Sequence, residues 1–168
     1  HCDADVTGNG CERVLDAYAN TCATATTMTR ASDGATYIRG DYLSDYTPIY
    51  TGYTSQWFKL TVNENFFGPP GPDPVRCIQS DVELQSPPGL DFDLYRYDAG
   101  CGPQLTPNCF SAQAAGATDT MTHIVTDVTG NQDHTYWIEV RYSAGSVCGS
   151  WTLQAYRASW LCSTPDCS

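Results

Sequence analysis

Clustered carboxylates among glycines and cysteines are the first chemistry the chain offers. Asp3, Asp5, Asn9 and Glu12 surround Gly8 and Gly10, and Cys2 and Cys11 stand where they could close the segment into a loop. All four side chains present oxygen, the donor of which a hard cation such as calcium takes about six to eight. An EF-hand spacing is followed only in part, because Thr7 stands at the fifth position and Val14 where a bidentate Glu belongs. A second pair, Asp91 and Asp93, flanks Phe92 in an alternating segment, which puts both carboxylates on one face, opposite Phe92 and Leu94. They could ligate calcium or accept sugar hydroxyls. They could as well cap a turn and satisfy neighbouring backbone, since Asp is a common turn residue. A glycosidase needs two carboxylates across a cleft about 5–10 Å apart, and no such pair is readable here.

Imidazoles give the sharpest enzymatic option. His1 could chelate copper through its amine and ring, joined by a second histidine, as in oxidative polysaccharide enzymes. Cys2 follows at once and a terminal His can be a tag remnant, so copper is the weaker metal expectation. His123 and His134 are expected as surface residues at strand starts. No G-x-S-x-G elbow, nucleotide loop or zinc-helix motif is present. The expectation is a non-enzyme.

Aromatic side chains carry the binding expectation, since four Trp and eleven Tyr can stack on sugars or anchor a protein interface. Trp57 and Trp137 fall on the outer faces of their strands, Trp137 alongside Glu139 and Arg141. Each is a candidate binding residue unless a loop covers it, Trp being usually well buried. Tyr42, Tyr46, Tyr50 and Tyr53, interleaved with Asp41 and Asp45, have the composition of a recognition loop. Their alternative is an edge strand with a tyrosine-coated face.

The elements that must position these groups read as β. Gln56–Asn63 alternates Phe58, Leu60 and Val62 with Trp57, Lys59 and Thr61. Similar runs span 36–42, 75–84, 90–97, 121–128, 134–142 and 150–157. Gly68-Pro69-Pro70-Gly71-Pro72 and Ser86-Pro87-Pro88-Gly89 break the chain between them. The segment Gly100–Thr120, with Cys101 and Cys109, reads as a disulfide-tied surface loop. The fold class is therefore all-β, an antiparallel sandwich of jelly-roll or immunoglobulin-like type with about seven to nine strands. Residues 17–159 form the sandwich; 1–16 is a Cys/Asp-rich appendage and 160–168 a tail in which Cys162 and Cys167 close a small loop.

Composition bounds the partners. Nineteen acidic residues against eight basic ones give a net charge of −11, which repels nucleic-acid phosphate. Such a surface suits divalent cations, neutral sugars or simple solubility outside the cell. Nine cysteines in 168 residues point to an oxidising, extracellular setting, and the odd number leaves one thiol free or paired outside the chain. No run approaches the roughly 20 apolar residues of a membrane span. The start lacks a basic and then apolar leader, as expected where an export signal has been removed.

The order of signals from Asp16 to Arg157 resembles the bacterial pre-peptidase C-terminal domain, a β-sandwich appended to secreted enzymes. The resemblance rests on 20–26 (NTCATAT), 56–62 (QWFKLTV), 91–97 (DFDLYRY), 136–140 (YWIEV) and 149–153 (GSWTL). The 16–20 segment keeps an acid and an Asn of the family's Glu-Pro-Asn-Asp entry, and the resemblance implies a calcium ligand at Asp16. The opening 2–12 is similar to a short element of cysteine-rich bacterial surface proteins. The resulting expectation is a secreted accessory module, with calcium, that binds an extracellular polysaccharide or protein. The alternative is a filament or surface-layer subunit whose Cys-rich ends join successive copies.

Overall fold

Alternation of apolar and polar side chains builds the sheets, because residues two apart share a face and only one face can be buried. The computed structural model describes residues 18–39, 45–63, 77–102, 106–126, 133–145, 147 and 149–157. Ten strands follow a 3-10 turn at Cys22–Thr24: β1 (Thr26–Thr27), β2 (Ile38–Arg39), β3 (Tyr50–Gly52), β4 (Gln56–Asn63), β5 (Cys77–Gln85), β6 (Leu90–Tyr97), β7 (Cys109–Ser111), β8 (Thr118–Thr126), β9 (His134–Gly145) and β10 (Trp151–Arg157). One sheet runs β1-β4-β9-β6-β7, with β2 also on β4; the other runs β3-β10-β5-β8. The two sheets pack face to face as a β-sandwich. β1 and β2 lie parallel to β4, and the remaining ladders are antiparallel.

The core is the inward set of each strand. Phe58, Leu60 and Val62 from β4, Phe92 and Leu94 from β6, and Ile138 and Val140 from β9 meet Val82, Leu84, Met121 and Leu153 of the opposite sheet. Trp151 sits fully buried among them, edge-on to Phe58 with ring centres 5.9 Å apart, and its indole N–H donates to the Thr54 carbonyl at 2.9 Å. Gly52 lies under that indole, where any Cβ would collide with the ring. Two of the expected strands, β4 and β6, begin and end where alternation puts them. β1, β3 and β7, only two or three residues long, are additions to the expected set.

Candidate functional site: the outer face of the larger sheet

Register decides which outward side chains become neighbours. Trp57 pairs with Glu139, Glu139 with Tyr95, and Tyr95 with Phe110, so these four form one row across β4, β9, β6 and β7. Successive members stand about 4.8 Å apart along the hydrogen-bonding direction. Lys59, Trp137 and Tyr97 form the next row, and Arg141 lies opposite Asp93.

One half of this face is sealed. Cys22, at the start of the 3-10 turn, is disulfide-bonded to Cys101, which follows β6; the Cα atoms are 5.6 Å apart across 79 residues of chain. Beneath this strap Cys22, Trp57 and Tyr97 form a buried cluster, flanked by Ala25, Tyr95 and Trp137. Asn20 fixes the strap to β4 like a short piece of strand: its Oδ1 accepts the Trp57 N–H at 2.6 Å and its Nδ2 donates to the Trp57 carbonyl at 2.8 Å. Gly100 takes φ +78, and a Cβ there would already touch the Trp137 ring at 3.5 Å. Trp57 is on the outer face, as alternation requires, yet it is 6% exposed. The expectation that it offers a binding surface is corrected by the segment that crosses it. Trp137 is half-buried, with the Lys59 ammonium 5.9 Å from its ring centre.

The other half is open and polar-aromatic. Glu139 is 1% exposed yet fully partnered: it accepts from the Tyr18 hydroxyl, from the Tyr97 hydroxyl at 2.6 Å, and from Arg141 Nε and Nη2 at 3.1 and 2.6 Å. Arg141 lies 4.1 Å from the centre of the Tyr95 ring, a cation–π contact. Tyr95 donates its hydroxyl to Asp93 at 3.2 Å and stacks beside Phe110, ring centres 6.1 Å apart and planes 24° apart. Phe110 is 64% and Tyr18 45% exposed. A large apolar ring open to solvent can stack on one face of a ligand; of the polar groups on this half, Tyr18 and Arg141 keep exposed area for a ligand's edge, whereas the Glu139 and Asp93 carboxylates are buried.

Electrostatics hold the groups around Glu139 in fixed protonation states. Burial first, then the hydrogen bond and charge of Glu139, push the Tyr18 hydroxyl up to about 12 and the Tyr97 hydroxyl higher still. Both stay donors through the neutral range. The Glu139 hydrogen bond, opposed by burial, keeps the Arg141 guanidinium charged. At the β6 end, burial and then the charges of Asp93 and Asp119 raise the Asp91 carboxyl. Burial also raises the Asp119 carboxyl, against hydrogen bonds from the Ser111 hydroxyl and the Gln113 N–H, both 2.8 Å.

The remaining expected residues separate. Tyr50 leans on the core, edge-on to Phe58 at 5.4 Å, and its hydroxyl accepts the Thr29 N–H. Tyr46 and Tyr53, each 50% exposed, lie toward the smaller sheet, Tyr46 bridging to Tyr156 of β10. The tyrosines therefore do not join the two tryptophans on one surface. Asp93 is 7% exposed and engaged by Tyr95, and a register shift between Asp91 and Phe92 interrupts the ladder beside Asp91. Among the described residues no group of three or more His, Cys, Asp or Glu is arranged to hold a metal ion, so Asp91 and Asp93 alone do not make a calcium cage. Cys101 and Cys109 are both disulfide-bonded, Cys101 to Cys22. His123 and His134 are not open surface residues: register with Ser80 and Val62 turns both inward, where they are half-buried. Tyr42, Asp3, Asp5, Asn9, Glu12, Asp16, Cys2, Cys11, Cys162 and Cys167 lie outside the described residues.

Residues that sequence reasoning passed over are Tyr18, Tyr95 and Phe110. Phe110 sits in a three-residue strand inside what reads as a loop, too short to show a period. No protein-family model matches the chain, and no curated protein does.

Proposed function

We propose that this protein is a non-catalytic, secreted binding module that holds a neutral polysaccharide against the open half of its larger sheet. The observation that carries this reading is Phe110, a solvent-exposed ring stacked beside Tyr95, whose own ring and hydroxyl engage Arg141 and Asp93. An exposed ring on an outward sheet face suits stacking on a sugar of an extended polymer, and the acidic charge of the chain disfavours polyanions. The Cys22–Cys101 disulfide supports an extracellular setting, and the resemblance to pre-peptidase C-terminal domains supports an accessory role. Calcium enters the reading through Asp3, Asp5, Asn9, Glu12 and Asp16.

The test is retention of the protein on a panel of insoluble and gel-embedded neutral polysaccharides and of matrix proteins, with and without a chelator. Retention by a glycan supports the reading, and loss on chelation places calcium within it. Retention by matrix proteins alone, or by nothing, overturns it. A ladder of covalent or chelator-sensitive polymers favours the filament alternative.

A further inference from the structure

Two imidazoles face each other between the sheets, at the end of the sandwich away from the aromatic platform's strand row. His123 belongs to β8, opposite Ser80 of β5; His134 opens β9, opposite Val62 of β4. Their ring centres are 6.3 Å apart with planes at 61°. His123 also lies against the Tyr136 ring at 4.6 Å, and the Tyr136 hydroxyl is fixed by Ser80 Oγ at 2.9 Å. Nε2 of His134 is buried and has no hydrogen-bond partner. A buried ring nitrogen in that condition needs an explanation, because folding strips its water and puts no hydrogen-bond partner in its place.

We propose that His123 and His134 form a bis-histidine site for a borderline divalent metal ion, of the zinc, copper or nickel class, that clips the two sheets together. Imidazole is the side-chain donor these ions prefer. A metal–nitrogen bond of about 2.0–2.1 Å sets each ring centre about 3.2 Å from the ion, so two rings can share one ion up to a separation of roughly 6.4 Å. The observed separation falls inside that limit. A tetrahedral site, with water completing the shell, sets the centres roughly 5.2 Å apart, so the two rings must close by about 1 Å on binding. Calcium, which takes oxygen donors, is excluded by the chemistry of the pair. The ion stabilises the folded state because the two ligands come from different sheets and are brought together only by folding.

The experiment titrates zinc, nickel and copper separately into the full chain, with calcium as a control, and reads the melting temperature and the heat of binding. One equivalent of zinc, nickel or copper is expected to bind with submillimolar affinity and raise the melting temperature, with His134→Gln and His123→Gln each weakening binding at least tenfold. In the unaltered protein, substoichiometric copper is expected to broaden the His123 and His134 resonances first and those of Tyr136 and Ser80 with them, a readout that survives if either variant folds poorly. Binding that is absent, or copper broadening that begins near His1 and spares Tyr136, overturns the assignment.

Discussion

Trp57 and Phe110 stand at opposite ends of one row on one sheet face, and they differ tenfold in exposure, at 6% and 64%. Both are outward-facing aromatics on strands. What separates them is a strap of chain, pinned by Cys22–Cys101 and by Asn20, that crosses β4 and stops short of β7. Between the two halves lies Glu139, whose carboxylate ties Tyr97 of the sealed side to Tyr18 and Arg141 of the open side. The lesson is that strand alternation assigns a side chain to a face, and tertiary covering decides whether that face meets core or ligand.

Truncating the two rings sharpens the contrast most. Trp57→Ala is expected to cost about 4 kcal/mol in denaturant unfolding, the usual range for a large buried aromatic. Phe110→Ala should change stability by no more than about 0.5 kcal/mol. Equal costs for the two would erase the distinction drawn here.

Cutting the strap is the next largest perturbation. Cys22→Ser with Cys101→Ser is expected to lose about 3 kcal/mol, since a disulfide across a long loop restricts the unfolded chain. Tryptophan emission should move to longer wavelength as Trp57 meets water. An unchanged spectrum would mean that packing and Asn20 hold the strap without the disulfide.

The Glu139 hub gives a smaller and pH-dependent effect. Arg141→Ala is expected to cost about 1–2 kcal/mol, discounted because the Arg141 side chain is 41% exposed although that of Glu139 is 2% exposed. For Tyr18 and Tyr97 the folded state binds the phenolic proton more tightly than the unfolded chain, whose tyrosines titrate near 10.0. Stability from these groups is therefore full below pH 10 and falls as pH rises toward and past about 12. Tyr18→Phe should flatten part of that fall in a pH series of melting temperatures. The smallest effect is at Asp91, whose raised carboxyl favours the protonated form in the fold. Asp91→Asn should stabilise slightly at neutral pH, with the gain vanishing as pH drops below the ordinary carboxylate range.

Much of this architecture is legible in the sequence. β4 and β6 follow from strict alternation, and the outward placement of Trp137, Glu139 and Arg141 follows from the same period. The covering of Trp57 is not legible, because it depends on a disulfide between Cys22 and Cys101 that spacing alone does not specify. Phe110 is hidden for a different reason: a three-residue edge strand is defined by its partner β6 and not by its own pattern. The inward turn of His123 and His134 is fixed by pairing with Ser80 and Val62, a register visible only across strands.

The most direct test compares Phe110→Ala with the unaltered protein on a neutral polysaccharide that retains the latter, under conditions where both show the same melting temperature. Retention at least about tenfold weaker is expected in the variant, equivalent to about 1.4 kcal/mol of lost stacking. Undiminished retention would contradict the claim that the open half of the larger sheet is the binding face.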